Sequence, residues 1–488
     1  MLQAAIPKTE ESPSVIKFGT DGWRAVISET FTFANLRLVA QAIADYVREQ
    51  NDTDPSVVIG FDTRFLSDRY AAEVARVMAA NGVKTRLARA DTPTPAVSYA
   101  IVHRQATGGV MITASHNAPR YNGVKLKSAF GGSVTPAECK RVEQILERDL
   151  REGRGPNLMS LEEAIASGLV TKFDPAWAYY EHLSTLVDLD CISSAELRVV
   201  ADGMYGSGRG VIGEVLARGR SRVLNIRHEM NPGFGGIHPE PITKHLGLLM
   251  STIQSGHWMV GLATDGDADR IGAVDAHGNF VDPHRIFALV LRYLIEKRGW
   301  QGKVVRTVST TRMIDRIAAQ HGLPLVETPV GFNHIADLML QGGVLMGGEE
   351  SGGMSVMNHI PEGDGILMGL LLLEVLADAG KPLHVLVDDL LATYGPAEYE
   401  RVDMTLTRPV AKAQMVELLL EQAPDQIDGV AVEDIQTTDG VKYYLADGSW
   451  LLIRPSGTEP VLRVYAEAPD QERVRALLGF GEKIAKSA

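Results

Sequence analysis

The stretch GGVMITASHN, residues 108–117, carries an apolar run straight into a polar loop. A short apolar run bounded by turn-forming residues predicts a buried strand, here ending close to Thr113. Open α/β sheets bind their ligands just beyond the carboxyl ends of such strands. Ser115 and His116 therefore occupy a position where a functional loop is expected.

Strands and helices alternate on both sides of this stretch. Apolar residues at helical spacing predict a helix over 33–47, and a second helix follows at 68–82. Further strand-like runs are SVVIGFDTR (56–64), LRVVADG (197–203), VLNIRHE (223–229), HWMVGLATDGDADR (257–270), KVVRTVST (303–310) and GGVLMGGEE (342–350). This alternation predicts parallel α/β layers. Residues 366–373 are apolar and predict a buried helix rather than a membrane span, because Glu374 interrupts the run.

The last part of the chain has a different pattern. Beyond about Tyr394, strand-like runs surround the turn-rich segment RPSGTEP (454–460), and a terminal helix follows. A separate α+β domain is expected there. With 488 residues the chain is too long for one hydrophobic core, so three or four domains are expected.

The composition of the chain indicates which kinds of binding partner and which cellular compartment to expect. The net charge of −13 argues against nucleic acid, which needs a basic surface. Two cysteines, Cys139 and Cys191, stand in no metal-type or redox-type spacing and suit a reducing compartment. The first 15 residues lack the pattern of a signal peptide. A cytoplasmic protein without a membrane partner is predicted.

The segment TASHNAPRYNGVK, residues 113–125, is the first candidate for chemistry. Ser115 can act as a nucleophile, and His116 and Lys125 can handle a proton or stabilise negative charge. The alternative is a polar turn without chemistry. A serine hydrolase is not indicated, because the GxSxG elbow is absent.

The second candidate, GLATDGDADR (261–270), alternates Asp265, Asp267 and Asp269 at the end of a strand. Three carboxylates this close repel one another unless a cation joins them, and Mg²⁺ fits a site with few protein ligands. An EF-hand is excluded because its twelfth position holds Ala276. A solvated acidic turn and a phosphatase with an aspartate nucleophile remain as alternatives.

Two further loops suit a sugar phosphate. In GGEESGG (347–353), Glu349 and Ser351 can exchange hydrogen bonds with sugar hydroxyls. In RPSGTEP, an arginine, two hydroxyls and free N–H groups can bind a phosphate. Plain turns are the alternative in both cases. Gly208, Gly210 and Gly213 match GxGxxG, but close packing of helix on strand is favoured over dinucleotide binding because the preceding turn is too long.

These four loops, in this order, resemble the α-D-phosphohexomutase superfamily, and the similarity runs from KFGTDGWR (17–24) to RPSGTEP. The resemblance implies three doubly wound α/β/α domains and a smaller α+β domain around a central cleft. The expected domains are 1–160 with the phosphoserine loop, 161–275 with the metal loop, 276–395 with the sugar loop and 396–488 with the phosphate loop.

The resemblance also implies the roles of the site residues. Ser115 would be the phosphoserine and would bind Mg²⁺ together with Asp265, Asp267 and Asp269. Catalytic roles fall to His116, Lys125, Arg270 and Arg24. Substrate-binding roles fall to Glu349, Ser351, Asn333, His334, Arg454, Ser456, Gly457, Thr458 and Arg463.

The resemblance further implies interconversion of hexose 1-phosphate and hexose 6-phosphate, activated by glucose 1,6-bisphosphate or mannose 1,6-bisphosphate. TPVGFNHI (328–335) together with GEESGG is more similar to phosphoglucomutases than to phosphoglucosamine mutases. Asn333 stands where a lysine is often found, and the serine loop reads SHNAP rather than SHNP. A phosphomannomutase or a dual-specificity enzyme, a magnesium-dependent phosphatase and a non-catalytic phosphosugar-binding protein remain as alternatives. The partners are small phosphosugars, and the chain is expected to be a monomer or a homodimer.

Overall fold

The computed structural model describes residues 16–19, 22–50, 53–405, 412–455 and 461–487, which form four successive sheets. The first domain has strands β1 (Gly22–Val26), β2 (Ser56–Phe61), β3 (Lys84–Ala88), β4 (Gly108–Ile112), β5 (Tyr121–Ser128) and β6 (Val170–Phe173). Its helices are α1 (Phe33–Glu49), α2 (Ser67–Ala80), α3 (Thr94–His103), α4 (Pro136–Arg151) and α5 (Leu161–Ala166). The sheet order is β1-β5-β4-β2-β3-β6, with β4, β2, β3 and β6 parallel.

The second domain begins with helices and ends in a hairpin. Its elements are α6 (Ala176–Leu186), α7 (Leu189–Ser194), β7 (Arg198–Asp202), α8 (Val211–Leu216), β8 (Arg222–Ile226), α9 (Gly247–Ser255), β9 (Val260–Thr264), β10 (Ile271–Asp275) and β11 (Phe280–Val281). The sheet order is β11-β10-β9-β7-β8. Strands β9, β7 and β8 run parallel, so their carboxyl ends share one edge.

The third domain repeats this design. Its elements are α10 (Pro283–Glu296), β12 (Lys303–Thr307), α11 (Met313–Gln320), β13 (Leu325–Thr328), α12 (Phe332–Leu340), β14 (Val344–Gly348), β15 (Met354–Val356), α13 (Gly365–Ala379) and α14 (Leu383–Tyr394). The sheet order is β13-β12-β14-β15. Helix α13 is the predicted buried helix: the apolar side chains between Ile366 and Leu373 are fully buried, in a core that domains two and three share.

The last domain is an antiparallel sheet covered by helices. Its elements are β16 (Glu398–Thr405), α15 (Lys412–Glu421), β17 (Gln426–Ile427), β18 (Val430–Gln436), β19 (Val441–Leu445), β20 (Trp450–Pro455), β21 (Val461–Ala468) and α16 (Gln471–Ser487). The sheet order is β16-β21-β20-β19-β18-β17, and this domain has its own core. The predicted fold class, three α/β/α domains followed by an α+β domain, is confirmed.

Two predicted domain boundaries need correction. The expected second domain ended at residue 275, but β11 (Phe280–Val281) pairs with β10 and belongs to the second sheet. The expected second domain began at residue 161, but β6 pairs in parallel with β3 and belongs to the first sheet. Helix α5 leads into this strand, so the chain leaves the first domain only after Phe173. The boundary at residue 161 was placed too early because the sequence pattern of VTKF, with two exposed residues, gives no strong strand signal.

Candidate active site

Ser115 lies in the loop after β4, and its backbone has a φ of 49°. Positive φ is uncommon for a residue with a side chain and has to be held by its surroundings. The hydroxyl of Thr113 accepts a hydrogen bond from the Ser115 N–H at 2.8 Å. Ser115 is 1% exposed, and its hydroxyl donates to Oδ2 of Asp265 at 2.8 Å. The loop thus presents a buried hydroxyl to the aspartates of the second domain.

The serine loop is wrapped around the guanidinium of Arg64, a residue to which sequence analysis gave no role. Nη2 donates to the carbonyls of Ser115 and Asn117, both at 2.6 Å. Nη1 donates to the carbonyls of Ala118 and Tyr121, at 2.9 and 3.0 Å. One side chain therefore fixes the path of the backbone on both sides of His116.

Arg64 is itself held by a buried ion pair. Its Nε lies 3.1 Å from Oδ2 of Asp62, and both side chains are fully buried. The ring of Phe234, from the second domain, lies 5.0 Å from the guanidinium. The signal in the sequence was DTR directly after the apolar run of β2: Arg64 is the third residue after β2, as Ser115 is the third after the neighbouring β4. Both loops meet at the carboxyl edge of one parallel sheet.

The three aspartates after β9 form a compact group. Each offers a carboxylate oxygen, and these oxygens lie within 4.8 Å of one another. Nζ of Lys125 donates to Oδ2 of Asp267 and to Oδ2 of Asp269, both at 2.8 Å. In the part of the chain that the structure describes, Oδ1 of Asp267 and Oδ1 of Asp269 are buried and accept no hydrogen bond. Such oxygens fit a hard cation.

The charges of this group are strongly coupled. Burial, together with repulsion by Asp269 and Asp267, raises the pKa of Asp265 well above its ordinary value. Burial also opposes ionisation of Asp267, but Lys125 outweighs it and holds the pKa of that carboxyl below its ordinary value. Three carboxylates at this distance cannot all be charged without compensation. Lys125 supplies part of it, and a divalent cation would supply the rest.

His116 stands beside the serine in a field of positive charge. Its Nδ1 lies 3.3 Å from Oγ of Ser115. Desolvation and then four positive charges lower the pKa of His116 well below its ordinary value. These charges belong to Arg270, Arg24, Lys125 and Arg401. The imidazole is therefore neutral at pH 7, and the surrounding cations suit an anion that binds at the serine.

Arg270 connects the aspartate loop with the predicted sugar loop. Its N–H donates to Oδ1 of Asp265 at 3.2 Å, and its backbone forms a β-bridge with Gly353. Oε1 of Glu349 accepts a hydrogen bond from the Gly331 N–H at 2.9 Å. Burial raises the pKa of Glu349 to about 7, and the charge of Arg270 opposes this rise. The predicted sugar loop thus stands at the same site as the serine and the aspartates.

The remaining predicted sugar contacts are neighbours of this loop. Asn333 and His334 lie in the first turn of α12, directly after Gly331. Because Glu349 binds Gly331, this turn lies against the loop that carries Ser351. The structure therefore brings the loop of Glu349 and Ser351 close to Asn333 and His334.

The predicted phosphate site is described only in part. Ser456, Gly457 and Thr458 lie outside the described residues. Arg454 and Arg463, which flank them, are directly paired across β20 and β21. Nε of Arg454 donates to Oδ2 of Asp439 at 2.6 Å.

Four domain models of phosphoglucomutase/phosphomannomutase match the chain in order. The α/β/α domains I, II and III match residues 15–152, 177–278 and 282–394, and the C-terminal domain matches residues 411–479. The chain belongs to the phosphoglucomutase/phosphomannomutase family. It is a member of the α-D-phosphohexomutase superfamily, whose enzymes are isomerases, as its motifs predicted.

Individual relatives of this phosphohexomutase match over almost its whole length. A phosphoglucomutase/phosphomannomutase of Thermococcus kodakarensis is 30% identical and covers 96% of this chain and 98% of its own. A protein of Methanopyrus kandleri, provisionally named a phosphoglucosamine mutase, is 31% identical over 94% of this chain and 95% of its own. A crystal structure from Thermus thermophilus, provisionally named a phosphomannomutase, has a TM-score of 0.85 with 34% identity and covers 97% and 99% of the two chains. The names of these relatives thus describe mutases of three different sugar phosphates: those of glucose, mannose and glucosamine.

The GxGxxG sequence of this phosphohexomutase is explained by packing. A Cβ on Gly208 would lie 2.5 Å from Oγ1 of Thr264 and 2.8 Å from Cβ of Ala268. On Gly213 it would lie 2.9 Å from Nδ2 of Asn225. Gly208 thus lets the turn before α8 lie directly against the end of β9 and the aspartate loop, and Gly213 lets α8 lie close to β8. Among the described helices, none combines the length and apolar character needed to cross a bilayer.

Proposed function

We propose that this phosphohexomutase interconverts hexose 1-phosphate and hexose 6-phosphate through phosphorylated Ser115, with glucose phosphates as preferred substrates. The observation that carries the proposal is the position of the Ser115 hydroxyl, which lies 2.8 Å from Oδ2 of Asp265 and 3.3 Å from Nδ1 of His116. A buried hydroxyl between carboxylates and cations suits transfer of a phosphoryl group, which depends on positioning and charge stabilisation.

The reaction takes place in two transfers. In the first, the bond from phosphorus to Oγ of Ser115 breaks, a bond to the free hydroxyl of the hexose phosphate forms, and the hydroxyl proton passes to a basic group. His116 and Lys125 either take this proton or stabilise the developing charge. The resulting hexose 1,6-bisphosphate turns within the cleft, and its other phosphate returns to Ser115. Arg270 and Arg24 bind the phosphoryl group in both transfers.

Asp265, Asp267 and Asp269, with an oxygen on Ser115, would hold Mg²⁺. The buried, unpaired Oδ1 atoms of Asp267 and Asp269 support this assignment within the described residues. Bound Mg²⁺ supplies positive charge to the phosphoryl oxygens. Asp267→Asn is expected to weaken the dependence of turnover on Mg²⁺, and an unchanged response would remove the aspartates from the metal site.

The substrate is held at two places. The sugar is bound by Glu349, Ser351, Asn333 and His334. The phosphate that is not being transferred is bound by Arg454, Ser456, Gly457, Thr458 and Arg463. The alternatives within the family are a phosphomannomutase or a dual-specificity enzyme. Glucose 1,6-bisphosphate or mannose 1,6-bisphosphate is the activator, because it phosphorylates a free Ser115.

The test is turnover of glucose 1-phosphate, mannose 1-phosphate and glucosamine 1-phosphate, with Mg²⁺ and a trace of the matching bisphosphate. Isomerisation is expected for the intact protein and for Ser251→Ala, an exposed serine, and is expected to be lost in Ser115→Ala. The relative kcat/KM values rank the sugars. Release of free phosphate by Ser115→Ala would instead identify an aspartate-nucleophile phosphatase. Binding without any turnover would identify a phosphosugar-binding protein.

A further inference from the structure

Arg401 connects the last domain with the sugar loop. Its Nη1 lies 2.8 Å from Oε1 of Glu350, the residue after Glu349, and its Nε lies 3.0 Å from Oδ1 of Asp403. The Glu350 side chain is 9% exposed, whereas that of Arg401 is 31% exposed. The guanidinium thus bridges two domains while part of it faces the solvent.

The pairing of strands places Arg401 in a row of arginines. Arg401 pairs with Tyr465, and two residues along β16 Asp403 pairs with Arg463, which in turn pairs with Arg454. Directly paired residues, and residues two apart on one strand, share a face of the sheet. The three arginines therefore lie on one face, and two of them flank the predicted phosphate loop.

The charge of Arg401 also acts on His116, the residue next to the serine. It is one of the four positive charges that lower the pKa of His116. The other three belong to predicted catalytic residues, whereas Arg401 lies in none of the four motifs. Arg401 is thus a positive charge close enough to His116 to affect its ionisation, and it shares a sheet face with Arg463 and Arg454.

We propose that Arg401 is a substrate-binding residue whose guanidinium binds the phosphate of the phosphosugar and gives up Glu350 when it does so. The inference rests on the proposed function for the identity of the ligand, a phosphate monoester. A guanidinium binds phosphate through two parallel hydrogen bonds, as it binds a carboxylate. Glu350 is therefore the competitor that holds Arg401 in place when no phosphosugar is bound.

Release from Arg401 does not leave Glu350 without compensation. His284 and Arg270 also favour its charged form. When a phosphate replaces Glu350 as the partner of Arg401, Glu350 loses a contact. Because Glu350 is adjacent to Glu349, this loss affects the predicted sugar loop directly. Binding of a phosphate in the last domain is in this way coupled to the residues that contact the sugar.

The test is calorimetric binding of glucose 6-phosphate, with Mg²⁺ present, to variants that all carry Ser115→Ala and therefore do not turn over. Arg401→Gln alone is not decisive, because it leaves Glu350 buried without its main partner, which is itself destabilising. The decisive comparison is Glu350→Gln against the double variant Glu350→Gln/Arg401→Gln. Both lack the ion pair, and they differ only in the presence of the guanidinium.

If Arg401 binds the substrate phosphate, Glu350→Gln binds as tightly as the parent or more tightly, and the double variant binds about 10- to 100-fold more weakly, as expected for loss of hydrogen bonds between charged groups. Arg401→Lys, in the same Ser115→Ala background, is expected to bind glucose 6-phosphate more weakly than the parent and more tightly than the double variant. If Arg401 only joins the two domains, the two decisive variants bind equally and the proposal is overturned. Because binding is measured without turnover, this outcome is separate from the mutase assay. Glucose 6-phosphate that binds none of the proteins, the parent included, would instead contradict the proposed substrate class.

Discussion

At the scale of single residues, the serine loop depends on the planar fork of one guanidinium. Arg64 donates four hydrogen bonds to carbonyls of residues 115–121, and these contacts hold Ser115 in a backbone conformation that it would not adopt alone. An ammonium is a point charge and cannot reproduce this geometry. The loop should therefore be sensitive to the shape of the side chain as well as to its charge.

Arg64→Lys tests this dependence. We expect kcat to fall by about 100-fold, with KM changed far less, because a misplaced nucleophile costs rate more than affinity. Phosphorylation of Ser115 by added bisphosphate, followed by intact mass, should slow to a similar extent. Arg69→Lys, an exposed arginine in α2, is the matched control. Normal kinetics and normal phosphorylation in Arg64→Lys would show that the carbonyl contacts do not position the serine.

Glu349 gives a prediction about pH. Burial raises its pKa to about 7, so below that pH the carboxyl is protonated and its charge no longer strengthens a hydrogen bond accepted from the sugar. We expect kcat/KM to rise with pH between about 6 and 8. The substrate phosphate also titrates, near pH 6. Glu349→Gln should therefore lose the component near 7 and keep the lower one, and a profile with both components intact would contradict the role of Glu349.

A site residue can be predicted from the sequence when the residues that act with it lie close by in the chain. Ser115 and the three aspartates follow apolar runs in short, dense motifs. The structure places the Ser115 hydroxyl 2.8 Å from Asp265, and oxygens of the three aspartates lie within 4.8 Å of one another. Arg64 and Arg401 act on partners about 50 residues away in the chain, on carbonyls in the first case and on Glu350 in the second. Backbone carbonyls have no sequence signature, and a single ion pair between two domains has none either.

At the scale of elements, the site is assembled from loops at the carboxyl ends of β2, β4, β9 and β14. The loops after β2 and β4 meet because these strands are parallel neighbours, and the loops after β9 and β14 meet through the bridge between Arg270 and Gly353. Sequence patterns were sufficient to predict the four strands. The proposed sugar-binding side needs α12 as well, since its first turn carries Asn333 and His334. Strand β6 was not predicted because two of its four residues are exposed. Short edge strands lack the apolar pattern on which such predictions depend.

The close packing of the turn before α8 against the aspartate loop can be tested by substitution. Gly208→Ala would place a methyl group 2.5 Å from Oγ1 of Thr264 and 2.8 Å from Cβ of Ala268, so one of the two segments must shift. We expect a loss of about 1–3 kcal/mol in the free energy of unfolding, together with weaker Mg²⁺ activation, because Ala268 lies within the aspartate loop. Gly479→Ala, in α16 with open space around it, is the control and should stabilise slightly. Unaltered unfolding of Gly208→Ala would contradict the packing interpretation.

At the scale of the whole molecule, the four domains are not equally independent. Domains two and three share one core around α13, whereas the first and last domains have separate cores. One of the contacts between the last domain and the third is made by Lys442, whose Nζ donates to the carbonyl of Val308 at 2.6 Å and lies 4.1 Å from the ring of Trp450. This ammonium is fully enclosed at the junction.

The enclosed position of Lys442 at this junction should make the stability of the protein depend on pH. Burial, and then Arg306, lower the pKa of Lys442 to about 7, so between pH 7 and about 10 the unfolded chain binds a proton that the folded chain does not. Stability should therefore rise with pH in this window, by up to about 1.4 kcal/mol per unit. We expect the melting temperature of the wild type to rise relative to that of Lys442→Met, measured by calorimetry from pH 7 to 9. Lys381→Met, an exposed lysine, should follow the wild type, and parallel curves for all three proteins would rule out this titration.

The separation of the site's halves along the chain has a consequence for synthesis on the ribosome. Ser115 and Asp265 are 150 residues apart, which at about 5–20 residues per second is a delay of about 8 to 30 s. The first domain has its own core and can fold during this interval, whereas the aspartates that bind Lys125 have not yet been made. The nascent protein thus first has the serine loop without the aspartates, and the proposed metal site can form only when the second domain emerges.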